Sequence, residues 1–120
     1  MTDQKTGFDF EALRNAIEQS DAESLMSFYA EDAELHSVNR NTPPSSPHVL
    51  RGKEAIAEHV KDVCGRDMTH RVEREVVGED RIAFNEACEY PDGPRVLAAM
   101  VLDLRDGKIV HQMSVEAWDE

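Results

Sequence analysis

The sequence predicts a single α+β domain, with helices gathered in the N-terminal half and an antiparallel sheet in the C-terminal half. Three observations lead there. Apolar residues recur at helical period in three segments before Gly65, they alternate along strands from Thr69 onward, and short turn sequences punctuate the β-rich half. The expected order is α-α-β-α-β-β-β-β over one domain, 1–120, whose core covers about residues 8–118.

Phe10, Leu13, Ala16 and Ile17 define a first amphipathic helix from about Phe8 to Gln19, with a cap at Thr6. Ser20-Asp-Ala-Glu23 has the form of a capping box, so a second helix is expected from about Asp21 to Glu31, carrying Leu25, Met26, Phe28 and Tyr29. Ala33 to Val38 reads as a short strand. Asn39 to His48 reads as a loop, because Pro43, Pro44 and Pro47 remove donors and fix φ. Ile56, His59, Val60 and Val63 restore the helical period after Gly52, giving a third helix that ends before Gly65. Strands then follow at Thr69 to Val77, Ile82 to Tyr90, Val96 to Leu104 and Lys108 to Trp118, divided by turns at Gly78, Gly93 and Asp106-Gly107.

The chain has 120 residues, a formal net charge of -12 and 40% hydrophobic residues, a balance that fits one well-solvated core. Such an acidic surface repels phosphate backbones and anionic lipids, so neither nucleic acid nor membrane is an expected partner. The longest apolar run, Val96 to Leu102, is too short to span a bilayer, and the polar N-terminal residues carry no secretory core, so a cytoplasmic location is expected. Cys64 and Cys88 have no CxxC partner and read as free structural thiols. Val96 to Leu102 is apolar on both faces; three helices cover one, and a second copy of the chain is expected to cover the other as a homodimer.

Asp21-Ala-Glu-Ser-Leu-Met-Ser-Phe-Tyr-Ala-Glu-Asp-Ala-Glu-Leu-His36, Leu50-Arg-Gly-Lys-Glu-Ala-Ile56 and Asp106-Gly-Lys-Ile-Val110 together resemble the SnoaL-like, ketosteroid isomerase-like members of the nuclear transport factor 2-like superfamily. The resemblance implies a cone-shaped, curved, mainly antiparallel sheet wrapped around three N-terminal helices and enclosing a cavity. It does not imply one reaction, because the fold hosts isomerases, cyclases, dehydratases and binding domains. It assigns the isomerase base to the position of Ser37, the tyrosine to Leu13 and the protonated aspartic acid to Met100. None of these three can perform the corresponding role. The Asp-Arg-Asp set of the related epoxide hydrolases is also not evident.

Two readings stand for each polar residue singled out. His36 is a general acid or base at a strand end, or a histidine bonded to backbone. His59 lies on the apolar stripe of the third helix, so it either meets a ligand or is a satisfied core histidine. The family phase turns Gln112 and Glu116 of the last strand into the cavity, making Glu116 a buried acid or base, whereas simple amphipathicity would turn Ile109, His111 and Met113 inward. Glu86 is an odd polar member of an apolar set and reads as a solvated edge position. Tyr29, Leu35, Ser37, Met100, Gln112 and Trp118 are the expected pocket lining; Tyr29 and Trp118 read as packing residues or as walls whose polar tips reach a ligand.

No phosphate loop or nucleophile elbow is present, and His36, His48, His59, His70 and His111 lack paired metal-site spacing. No metal or cofactor is expected. The functional expectation is a pocket for a small apolar molecule, with cofactor-free proton transfer by His36, His59 or Glu116 as isomerase, cyclase or dehydratase. The competing class is a non-catalytic dimeric binding or interaction domain.

Overall fold

The first helix, α1 (Phe10–Glu18), is opened by Asp9, whose side chain accepts the Ala12 amide at 3.1 Å. The cap expected at Thr6 lies outside the residues this computed structural model describes, 8–119. Phe10, Leu13, Ala16 and Ile17 are buried along one face, as a period of 3.6 requires. The helix closes at Ser20, which takes φ 54°, while its N–H returns to Ile17 O and that of Asp21 to Ala16 O. These are the two bonds of a Schellman motif. The capping box expected at Ser20 is thereby corrected: the serine ends α1, and Asp21 caps α2 (Ala22–Met26) by accepting the Ser24 amide at 3.2 Å.

α2 has only 5 residues, shorter than expected. Phe28 O accepts the Ile109 N–H at 2.8 Å and Tyr29 pairs with Ile109, which draws residues of helical spacing into a longer first strand, β1 (Tyr29–Val38). The proline-rich loop gives way to an unforeseen short strand, β2 (His48–Arg51), antiparallel to β1. Gly52, at φ 93°, turns the chain into α3 (Lys53–Cys64), whose Ile56 and Val60 are buried. The meander follows as β3 (Thr69–Val77), β4 (Arg81–Glu89), β5 (Arg95–Arg105) and β6 (Lys108–Trp118).

The six strands form one sheet in the order β2-β1-β6-β5-β4-β3, in which only the β1–β6 pair is parallel. The register breaks between Tyr29 and Glu34 of β1, between Glu73 and Val76 of β3, and between Asp103 and Leu104 of β5. Such irregularities raise local twist and bend a sheet around what packs on it. The helices cover the inner face, where Leu13, Ile56, Ile82, Leu102 and Ile109 are the largest fully buried side chains.

α1 also guards the edge of the sheet. The Val72 N–H of β3 donates to Glu18 Oε2 at 2.8 Å, and Arg14 Nη1 donates to Val72 O at 2.9 Å. Arg14 continues to Glu75 at 2.7 Å. One helix face thus satisfies backbone groups that an edge strand would otherwise present to another chain.

Candidate functional site

Between the inner sheet face and the helices lies a cavity of about 380 Å³. Its apolar lining includes Leu13 and Ile17 of α1, Val60 of α3, and Leu35, Phe84 and Leu102 of the sheet. Three groups of polar side chains interrupt that lining.

The first is buried deep. The Tyr29 hydroxyl donates to Gln112 Oε1, Gln112 Nε2 donates to Ser114 Oγ at 3.2 Å, and Ser114 Oγ lies 2.9 Å from Met100 Sδ. Burial, reinforced by the Glu86 carboxylate, pushes the Tyr29 phenol well above its ordinary 10.0, so it is a neutral donor. Ser37 is buried beside this group on β1.

The second lies toward the more exposed end. Glu116 Oε1 accepts from Asn39 Nδ2 and from Trp118 Nε1, both at 3.2 Å. His59 of α3 lines the same cavity, half-buried. Burial lowers its pKa from 6.5 against the opposing pull of Glu116, so the ring is neutral at pH 7. Among the described residues, no hydrogen bond holds its ring nitrogens.

The third stands on the wall made by β3 and β4. His70 Nδ1 lies 2.8 Å from Glu86 Oε2 and 3.3 Å from Cys88 Sγ, while Cys88 Sγ is 3.5 Å from Glu86 Oε2. His70 pairs with Cys88 across the strands, and Glu86 precedes Cys88 by two residues on the same face. Burial first, then Glu86, pushes the Cys88 thiol up to about 12. Glu86 is therefore not a solvated edge residue: β4 sits between β3 and β5, and the side chain is only 12% exposed.

Most of the residues singled out from the sequence come together here. Tyr29, Leu35, Ser37 and Met100 line the cavity, and so do His59, Gln112, Glu116 and Trp118. His36 does not. It alternates with the inward Leu35 and Ser37, so its ring falls on the outer face, 4.8 Å from that of His111 and 3.3 Å from Glu34.

The last strand explains why its phase was ambiguous. Leu104 pairs with Ile109 and Asp103 with His111, leaving Val110 as an extra residue that shifts the alternation. Ile109 points inward before the break, and Gln112, Ser114, Glu116 and Trp118 point inward after it. His70, Cys88 and Asn39 were not foreseen as site residues. The inner phase of β3 and β4 could have found the first two, since His70 alternates with buried Val72 and Cys88 with buried Phe84.

A curved sheet, a helical cover and a half-open cavity with polar groups on its inner strands define the class to which the molecule belongs. The chain matches the SnoaL-like domain over residues 10–112 and is a member of that family. It is similar in fold to an NTF2-like protein of unknown function from Mesorhizobium loti, with TM-score 0.80 and 18% identity over 98% of this chain and 97% of that one. It is also similar to a protein from Kribbella flavida provisionally described as a ketosteroid isomerase, with TM-score 0.75 and 16% identity over 98% and 78%. A de novo designed protein with a curved β-sheet gives TM-score 0.70 at 13% identity over 96% and 87%. No curated protein matches the sequence. Among the described residues, no helix is long and apolar enough to cross a membrane.

Proposed function

We propose that the cavity binds a small, largely apolar metabolite and that the protein moves a proton on it, as an isomerase, cyclase or dehydratase does. His59 is the base in this reading and Glu116 the charged group that steadies the imidazolium once formed. The observation that carries it is an imidazole facing the cavity without a protein hydrogen-bond partner among the described residues, its pKa lowered by burial. A neutral histidine near its working pH is the form a general base needs. The cavity of about 380 Å³ also falls within the roughly 300–1,000 Å³ usual for small-molecule sites.

A second reading, a non-catalytic binding domain, is favoured by Leu13, Ser37 and Met100 at the positions the resemblance assigns to isomerase chemistry. The outer sheet face supports a homodimer under either reading, because Leu97, Val101 and Val115 are 51%, 37% and 49% exposed there.

Native mass spectrometry for a copurifying molecule, followed by a thermal-shift screen of metabolites, supplies the ligand. His59→Phe is then expected to reduce turnover by about 10²–10⁴-fold, the usual range for one acid–base group. A variant that binds and converts the ligand as well as the parent overturns the assignment of His59. Binding without conversion by the parent selects the second reading.

A further inference from the structure

We propose that His70 Nδ1, a Glu86 carboxylate oxygen and the Cys88 thiolate form a binding site for a zinc-class divalent cation, with its fourth position open to the cavity. Among the described residues, this is the only group of three metal-ligating side chains that converges, with all ligand atoms within 4.8 Å of one another. The geometry is close to what such an ion needs. Metal–ligand bonds of about 2.0–2.3 Å in a tetrahedron place neighbouring ligand atoms roughly 3.3–3.7 Å apart. The two sulfur separations, 3.3 and 3.5 Å, are already there, and the His70–Glu86 separation of 2.8 Å needs to open by about half an ångström.

The support is rigid. Two ligands stand two residues apart on β4 and the third lies directly across on β3, so the ladder fixes their spacing. The His70 side chain is 3% exposed and that of Glu86 12%, which keeps the trio from competing solvent. Charge is consistent with that burial. A carboxylate, a thiolate and a neutral imidazole neutralise a dication, and the thiol proton of Cys88 leaves to solvent as the sulfur–metal bond forms. The donor set selects among ions. Sulfur and nitrogen donors suit zinc and cobalt, whereas magnesium and calcium require oxygen. All three residues line the cavity, so a water or a ligand oxygen would complete the shell from the side where a guest sits. The proposal stands apart from the acid–base role of His59, which uses none of these ligands.

The test is titration of chelator-stripped protein with cobalt(II), then displacement by zinc(II). One equivalent per chain is expected, with the visible bands of a four-coordinate ion and an ultraviolet sulfur-to-cobalt band. Cys88→Ser should abolish the sulfur band, and His70→Gln should weaken binding by more than about a hundred-fold, beyond what loss of an outer-shell partner costs. Cys64→Ser, which alters the other free thiol, should leave both unchanged. Absence of a sulfur band in the parent protein overturns the proposal whether or not the variants fold. So does a band that survives Cys88→Ser or disappears in Cys64→Ser.

Discussion

Tyr29 and Gln112 hold one another inside the cavity: the buried phenol donates to the amide oxygen although 83 residues separate them in sequence. That bond ties the start of β1 to the middle of β6, the one parallel pair of the sheet. Tyr29→Phe removes the donor and leaves a buried amide oxygen without it. A loss of about 1–3 kcal/mol in unfolding free energy is expected, read by urea denaturation. An unchanged midpoint would show that water replaces the phenol.

Alkaline pH should weaken the fold. The folded chain raises the Cys88 thiol from 9.0 to about 12 and holds the Tyr29 phenol above 10.0. The unfolded chain therefore releases these protons first and binds fewer of them. The stability these two groups contribute is complete below about pH 9 and declines as pH rises past it. Denaturation midpoints across this range should fall less steeply in Cys88→Ala than in the parent. Parallel slopes would contradict the shift.

On the acid side His59 acts with the same sense of argument and the opposite direction of pH. Its folded pKa is lowered, so the unfolded chain takes up a proton first as pH drops below 6.5, and stability declines there. A proton NMR titration should place the His59 ring midpoint below 6.5. A midpoint at or above that value would remove the neutral base from the proposed function.

The proposed homodimer would bury the outer face of β5 and β6, where Leu97 and Val115 stand half-exposed on neighbouring strands. Leu97→Glu together with Val115→Glu should convert a dimer to a 13.5 kDa monomer in sedimentation at micromolar concentration. A parent protein that already sediments as the monomer ends the prediction.

Gly78 closes the β3–β4 turn by donating its N–H to Arg81 O at 2.8 Å. A Cβ added at residue 78 would meet that same oxygen at 2.8 Å, and the obstacle is backbone. Gly78→Ala should cost about 1–3 kcal/mol, in the usual range for overpacking, read as a lowered melting temperature.

Much of the fold was legible because it depends on local periodicity. The apolar stripes of α1 and α3 and the alternation along the β4–β5 pair are properties of neighbouring residues, and each survived packing nearly unchanged. The inward positions of Met100 and His59 follow from those periods once the helices are set on one face of the sheet. β2 left no such mark. Four residues after a proline loop become a strand only because β1 is there to pair with them.

By itself the sequence determined an α+β chain whose acidic, solvated exterior surrounds one core, with its helices first and its meander last. Tertiary structure decided the rest of the site. Phe28 and Tyr29 have helical spacing but bond to β6, and the extra Val110 shifts the alternation that turns Glu116 inward and leaves His111 outside. It also set His70 against Glu86 and Cys88, because strand register, which turns and packing establish, decides which distant side chains share a face.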